Sequence, residues 1–443
     1  MNIRELAARI LKKINLDGRT AKESIREELR EIQITDSDRR FLRELVMGSL
    51  RFRGRYDYII KALIDDKPLK DISPYCLEVL RLSLHQLIAM RGTPAFAVLN
   101  EGVNAATSLE HEGAGGFVNA ILRKYQRLEE PIRFPEFEDD PEGYLTHFMS
   151  FPRWLVKRWI ERFGHDEALS LCLASNKTPL IPLRLNLKRV SREDIIESLT
   201  ADGVDMKTGF FRLQNLYITS VQPLDRLTAW KKGWIMVQDE ASSLVSLLMQ
   251  IEKDSLILDL CAAPGGKTIH MAEIARDKAS IISIDKSSMR LSMLNENIKR
   301  MNYEGISPIK ADARNFHLMR MVDRILIDAP CTATGTLSKN PEGKWQKKED
   351  DVEAMSRVQL EILLNAARFL RKDGVMVYST CSLESEENED IIKKFISLKP
   401  EFIVETAARQ IPSPLVTRQG FMRVYPHRHG MEGIFAARLR RRK

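Results

Sequence analysis

The sequence predicts a multidomain protein: an all-α N-terminal bundle, a small α+β domain, and a C-terminal α/β domain built on a parallel sheet. Three observations carry this. Over residues 2–126 apolar residues recur at helical spacing, as in Leu6, Ile10 and Ile14 or Leu42, Leu45, Val46 and Leu50. A middle stretch alternates strand, helix and strand signals. From Ser255 onward, apolar strands alternate regularly with amphipathic helices, the pattern of a sheet covered by helices on both faces. The 443 residues fit a prior of about three domains.

Taken in order, breakers at Gly18, Pro68, Pro74 and Gly92 to Pro94 divide the N-terminal part into short helices. EHEGAGG (110–116) opens a final helix through Val118 to Tyr125, giving a helical domain over residues 1–128. EEPIRFPEFEDDPEGY, with three prolines and a cluster of acids, reads as a linker within 129–150. A helical stretch from Trp154 to Ala174, then IPLRLNLKR, SREDIIESLTADG and FRLQNLYITS, make a small α+β domain over 151–233. Residues 234–443 form the last domain: LILDL, a Gly-rich turn, a helix to Ala275, ASIISID, a helix through Asn302, RILIDA, a long helix over 351–371, and GVMVYS.

The chain is 44% hydrophobic, 29% charged and 7% aromatic, which excludes a disordered or collagen-like chain. It has no run of about 18 apolar residues, and MNIRELAARILKKI lacks the apolar core of a signal peptide, so we expect a cytoplasmic protein without a membrane span. The net charge of +8 favours an anionic partner, nucleic acid ahead of a membrane surface. The five cysteines are far apart and form no C-x-x-C pair, which argues against a disulfide framework or a metal site and leaves a catalytic thiol open.

The first chemical motif is Asp259-Leu-Cys261-Ala262-Ala263-Pro264-Gly265-Gly266-Lys267-Thr268, directly after a buried strand and leading into a helix. In a doubly wound sheet this turn holds a nucleotide-like ligand through backbone N–H groups. A P-loop would need glycine where Cys261 stands, and G-x-G-x-x-G is absent. Asp285 closes the next strand and suits ribose hydroxyls, or else caps the helix that follows. Asp312, in KADAR, follows the third strand and is either near an adenine edge or a surface acid. Asp328-Ala-Pro330-Cys331 ends the fourth strand and Thr380-Cys381-Ser382 the fifth. Strand ends of this kind converge on one crevice, so two thiols and an aspartate are expected around one pocket.

DLCAAPGGKT, DAPCTATGTLSKNPEGKW and YSTCSLESEENED resemble the motifs of the RNA cytosine-5 methyltransferases that use S-adenosylmethionine (SAM). DRRFLRELVMGSLR, LEVLRLSLHQLIAM, AVLNEGVNAA and GGFVNAILRK resemble the NusB-like RNA-binding domain of the bacterial members that act on 16S ribosomal RNA; LRLN (183–186) and VQDEAS (237–242) extend the likeness. Thr332 and Ala333 stand where that family has Ser-Gly, Ser385 replaces a proline, and PHRHGMEGIF is a looser version of the family's PH…DGFF.

The resemblance implies a NusB-like bundle before a Rossmann-like methyltransferase domain, with SAM as cofactor. The partner would be 16S rRNA or a small-subunit precursor, and the chain a monomer. Cys381 would be the nucleophile, Cys331 would assist release of the product, and Asp328 would act at ring nitrogen 3. Cys261 through Lys267 would hold the amino-acid end of SAM, Asp285 the ribose and Asp312 the adenine, with Asp328 beside the methyl. Rival readings are a methyltransferase of this family acting on transfer RNA or another RNA, and a non-catalytic RNA-binding assembly factor. Arg39, Arg40, Arg43, Arg51, Arg53 and Arg55 form either a candidate RNA backbone footprint or a solvated face, and the tail Arg438 to Lys443 either another such footprint or a frayed terminus. His427 and His429 read as structural or surface groups.

Overall fold

Helices begin where the sequence supplies caps. In the computed structural model, which describes residues 2–65, 68–90, 92–211, 214–219 and 223–442, Asn2 accepts the Arg4 N–H at 2.9 Å and starts α1 (Ile3–Asp17). Gly18, at φ 68°, ends it in the left-handed region that favours glycine. A reciprocal Thr20/Glu23 capping box opens α2 (Ala21–Glu28), and Thr35 opens α3 (Asp36–Arg51), which leads into α4 (Arg53–Leu63). Ser73 caps α5 (Pro74–Ala89), whose first position holds Pro74, where the missing N–H costs nothing. Then come α6 (Ala95–Leu109), after Pro94, and α7 (Glu112–Gln126), capped by His111. Each side-chain cap contributes about 1 kcal/mol.

These helices bury one core, with Leu6, Ile10, Leu42, Leu45, Leu80, Leu84, Val118 and Leu122 in it. The stretch expected as a linker is ordered. Ile132 and Phe134 pack against the core, Phe134 stacks on Tyr58 at 4.8 Å between ring centroids, and Tyr144 stacks on Phe148 at 4.9 Å. Helices Arg153–Phe163 and His165–Asn176 follow.

By contacts the chain divides into two units: Met1–Thr178 with Leu337–Lys348, and Pro179–Thr336 with Glu349–Lys443. The 337–348 segment is held in the first unit by specific bonds. Buried Lys344 donates to the carbonyls of Arg51 (3.0 Å) and Ser150 (3.2 Å) and to Asn176 Oδ1 (2.6 Å), and its ammonium lies 3.6 Å from the Phe151 ring centroid. Trp345 donates its ring N–H to the Leu50 carbonyl at 2.7 Å, and Glu342 accepts the Ala21 N–H at 3.0 Å.

In the second unit, β1 (Ile181–Leu185), β2 (Met206–Thr208), β3 (Asn215–Ile218) and β4 (Ile235–Val237) form an antiparallel sheet in the order β2-β3-β1-β4. Helix Arg192–Ala201 covers it through Ile195 and Leu199. β4 lies beyond Gly233, where the sequence marks the domain end, yet it completes this sheet by pairing with β1. Of the expected strand FRLQNLYITS, Arg212, Leu213 and Ser220 lie outside the described residues, as does Lys443 of the basic tail.

The large sheet contains β5 (Leu256–Leu260), β6 (Ser280–Asp285), β7 (Ile306–Lys310), β8 (Val322–Asp328), β9 (Leu370–Thr380), β10 (Phe402–Glu405), β11 (Met422–Val424) and β12 (Ile434–Arg441). Its order is β10-β12-β9-β8-β5-β6-β7, with β11 also pairing with β12. β5 to β9 are parallel and β12 is antiparallel to β9. Alternation along the strands feeds two cores: Ile257, Leu326 and Val377 face one, and Leu258, Ile325 and Met376 the other. Because the chain leaves β5 toward β6 and β7 and later returns to β8 and β9 on the other side, the switch point lies between β5 and β8.

Two expectations are corrected. The helix predicted over 351–371 ends at Ala367, because Leu370 already pairs with Val322 at the start of β9. The arginine-rich tail is part of strand β12 as far as Arg441: buried Arg438 bonds Glu405 at 2.8 Å and the Leu248 carbonyl, and Arg440 donates to the Asp373 carbonyl at 2.9 Å.

Candidate active site

The turn after β5 is shaped by two residues with positive φ, Cys261 (60°) and Gly265 (101°). A Cβ on Gly265 would stand 2.3 Å from Leu294 Cδ1, so backbone angle and space both favour glycine there. Gly266 opens helix Gly266–Ile274 with an ordinary φ, and a Cβ there would meet nothing nearer than the Gln238 side chain at 3.6 Å. Arg290 holds the far side of the turn through the Ala263 carbonyl, and Asn297 through the Pro264 carbonyl at 3.1 Å.

Asp259 and Asp285 flank this turn, and Asp312 follows the edge strand β7. Asp259, fully buried in β5, accepts the Thr268 hydroxyl at 2.5 Å on one oxygen, while the other has no hydrogen-bond partner among the described residues. Burial pushes its carboxyl up to about 7. Asp285, at the end of β6, accepts the N–H groups of Ser287 (2.9 Å) and Ala263 (3.3 Å) and pairs with Arg290 at 3.6 Å. It therefore serves the helix start and the turn together. Asp312, just past β7, is gripped by Arg314 at 2.7 Å, a charged hydrogen bond that holds its carboxyl down at about 2. Cys261 is pushed up to about 12 by burial and by the fields of Asp328, Asp285 and Asp259.

β8 and β9 bring the remaining residues together. Cys331 Sγ and Cys381 Sγ lie 3.4 Å apart as free thiols. Asp328 Oδ2 accepts from Lys267 Nζ at 2.7 Å and Oδ1 from Ser379 Oγ at 3.0 Å. Burial works against the Lys267 ammonium, but contact with Asp328 outweighs it, and the Cys381 sulfur adds to the upward shift. The Cys331 thiol is held well above the ordinary range by its hydrogen bond to Cys381 and by burial. Cys331 thus stays protonated, beside a sulfur that lies in the field of a cation.

Sequence reasoning missed the groups that hold these loops. Glu387 accepts the Thr332 N–H at 2.9 Å and Gln359 Nε2 at 3.0 Å, and also the Thr332 and Ser382 hydroxyls. It thereby joins the residue after Cys331 to the residue after Cys381. Gly335 N–H donates to the Cys381 carbonyl at 2.9 Å, and a Cβ on Gly335 would stand 2.3 Å from the Gly433 carbonyl. Arg423 donates to the Leu383 carbonyl at 2.5 Å. Glu387 falls inside the quoted YSTCSLESEENED motif, which was the available signal; Arg423, from a separate strand, had none.

The arginine footprint shrinks. Arg51 is buried and donates to the Ser338 carbonyl at 3.1 Å; Arg53 donates to Asn15 at 3.0 Å; and Arg55 donates to the Phe148 carbonyl at 2.7 Å with its guanidinium over the Phe148 ring. These three serve internal packing of the helical unit, whereas Arg39, Arg40 and Arg43 on α3 are exposed. No helix among the described residues is long and apolar enough to cross a membrane.

Three family models match the chain in sequence order: the NusB family over residues 1–127, the Methyltr_RsmF/B-like ferredoxin-like domain over 151–224, and 16S rRNA methyltransferase RsmB/F over 246–440. The ribosomal RNA small subunit methyltransferase B of Photorhabdus laumondii is 33% identical, with 100% of this chain and 99% of the relative covered. That of Vibrio vulnificus is 31% identical, covering 99% of each. Among solved structures, PH0851 is similar with a TM-score of 0.84 at 29% identity over 99% of both chains. NSun6 from Pyrococcus horikoshii, solved with SFG, gives 0.60 at 26% identity over 67% of this chain and 100% of its own. With this likeness running the whole length of both partners, the chain belongs to the RsmB/F family of 16S rRNA methyltransferases.

Proposed function

We propose that this chain methylates carbon 5 of a cytosine in 16S rRNA, using SAM and a covalent adduct through Cys381. The observation that carries the reading is the pair of free thiols, 3.4 Å apart at adjacent strand ends, with the Lys267–Asp328 pair beside them. Family membership supports SAM-dependent rRNA methylation; carbon 5 and the thiol adduct rest on the chemistry of these side chains.

Bound SAM supplies an electrophilic methyl group. The residues present suit it: a glycine turn at a helix N-terminus, open at Gly266, and flanking acids with one buried carboxylate oxygen unpartnered among the described residues. In this reading the turn Cys261 to Lys267 holds the amino-acid end. Asp285 accepts ribose hydroxyls and Asp312 lies near the adenine, each through the acceptor capacity its present bonds leave.

Carbon 5 of cytosine is a weak nucleophile. Addition of the Cys381 thiolate to carbon 6 makes carbon 5 enamine-like, so it can take the methyl group. The Lys267–Asp328 pair is the hydrogen-bonding group set to meet charge developing at ring nitrogen 3. After transfer, water acting as base takes the carbon 5 proton, the electrons of that bond re-form the carbon 5–carbon 6 double bond, the carbon 6 to sulfur bond breaks, and Cys381 departs as thiolate. Cys331, kept protonated, is the neighbouring donor for that departing sulfur.

The test separates the thiols on denaturing gels with SAM and small-subunit RNA. Cys381→Ala is expected to give neither product nor covalent complex, and Cys331→Ala to accumulate a SAM-dependent protein–RNA adduct. An adduct in Cys381→Ala and none in Cys331→Ala contradicts the assignment.

A further inference from the structure

A turn outside the reaction centre is tied to it by backbone bonds. Gly335 N–H donates to the Cys381 carbonyl at 2.9 Å, and Gly433 N–H donates to the Gly335 carbonyl at 2.9 Å. The segment Tyr425 to Gly433 is therefore two hydrogen bonds from the nucleophile's own backbone. Arg423, just before it, grips the Ser382 and Leu383 carbonyls on the other side. Arg423 Nε also donates to the Tyr425 hydroxyl at 3.1 Å, so this turn forms a rim joined to the thiol loops through Arg423.

The rim carries the chemistry that reads single-stranded RNA. Half-buried Tyr425 has the exposed Arg428 guanidinium 4.7 Å from its ring centroid and His429 stacked at 6.4 Å. His429 closes the turn by accepting the Tyr425 N–H at 2.9 Å on Nδ1. Across from it, Phe210 lies against Gly430, where a Cβ would stand 2.7 Å from the ring. Phe210 is nonetheless 60% exposed, unusual for a large apolar ring. Its display is built: buried Glu240 accepts the N–H groups of Phe210 (2.7 Å) and Phe211 (2.8 Å), and the Phe210 ring meets Tyr217 edge-on at 5.6 Å. Both Glu240 oxygens are engaged by these backbone N–H groups; Glu432, in the same turn, is the acid whose field reaches Tyr217.

We propose that Phe210, Tyr425 and Arg428 form a subsite for the nucleotides flanking the target base in single-stranded RNA. The exposed Phe210 ring stacks a base, and Arg428, held over the Tyr425 ring, meets a phosphate. Aromatic stacking with a nearby cation is how proteins hold unpaired bases, and a target cytosine must be unstacked from its neighbours before a thiol can reach carbon 6. The occupant is RNA because the chain carries a net charge of +8 and the rim adjoins the proposed site of base attack. The inference rests on the proposed function for its substrate class.

The test uses the full-length chain with Phe210→Ala and Arg428→Ala, both at surface positions. Two readouts are taken: methyl transfer to small-subunit RNA, and direct titration of a labelled single-stranded oligonucleotide spanning the modified base. Each variant should raise the RNA KM and the oligonucleotide Kd roughly tenfold, the scale of one lost stacking or cationic contact. SAM affinity and kcat at saturating RNA should stay at wild-type values. Arg428→Ala should also lower the salt slope of binding by about 0.7, one single-strand phosphate contact. Phe210→Trp should restore affinity. Wild-type oligonucleotide affinity in both alanine variants overturns the subsite, as does a parallel loss of SAM affinity, which marks a structural role. If the wild-type chain transfers no methyl group yet the variants still bind the oligonucleotide more weakly, the subsite stands and the proposed reaction fails.

Discussion

Asp259 illustrates how a single buried group shapes stability. Its carboxyl is raised to about 7 in the folded chain, against about 3.9 for an unfolded aspartate. Between those values the folded state keeps a proton that the unfolded state has released. This contribution to stability is therefore fully present below about 3.9 and is lost as pH rises through 7. Asp312 acts in the opposite sense: its lowered pKa gives stability above 3.9 that is lost as pH falls toward 2, so it does not confuse the neutral range. Asp259→Asn keeps an acceptor for Thr268 and removes the titration. Its melting temperature should decline less than wild type between pH 4.5 and 7.5 in thermal unfolding. An equal decline in both proteins would contradict the raised pKa.

Among the elements, the turn between β5 and helix Gly266–Ile274 makes the sharpest prediction, because its two glycines have different jobs. Gly265 is required by φ and by Leu294, so Gly265→Ala should destabilise the fold by about 1 kcal/mol or more, read as a lower urea midpoint. Gly266 is required by neither, so Gly266→Val should fold and yet lose measurable SAM binding by calorimetry. Retained affinity would show that SAM does not approach this turn. The central strands were legible because parallel strands buried on both faces read as continuous apolar runs, as LILDL and RILIDA do. The thiols were legible because both follow such strands. β12 was not: FAARLRRR looks like a charged tail, and it takes Glu405, Gln250 and the Leu248 carbonyl to make Arg438 internal. The segment 337–348 was equally opaque, since nothing in LSKNPEGKWQKK marks Lys344 as buried among acceptors from three distant parts of the chain. Arg51 misled for the same reason, its burial being set by tertiary packing and not by the spacing of basic residues.

At the scale of the whole molecule, the +8 charge makes RNA affinity a salt-dependent quantity. Deleting residues 1–126 would be a poor test of the helical unit's share, because it removes the partners of Lys344 and Trp345 along with any RNA contacts. Charge changes on exposed α3 are cleaner. Arg39→Glu, Arg40→Glu and Arg43→Glu combined should lower the slope of log Kd against log salt by about two to three units, at roughly 0.7 to 0.9 per phosphate contact. SAM affinity should be unchanged, and an unaltered slope would place the RNA elsewhere. The central claim is the reaction itself, methyl transfer to carbon 5 of a cytosine. It is tested most directly by incubating the full chain with methyl-labelled SAM and unmodified small-subunit RNA, then digesting the RNA and identifying the labelled nucleoside by mass spectrometry. Label is expected in 5-methylcytidine; label in any other nucleoside, or none in the RNA, would contradict this reaction.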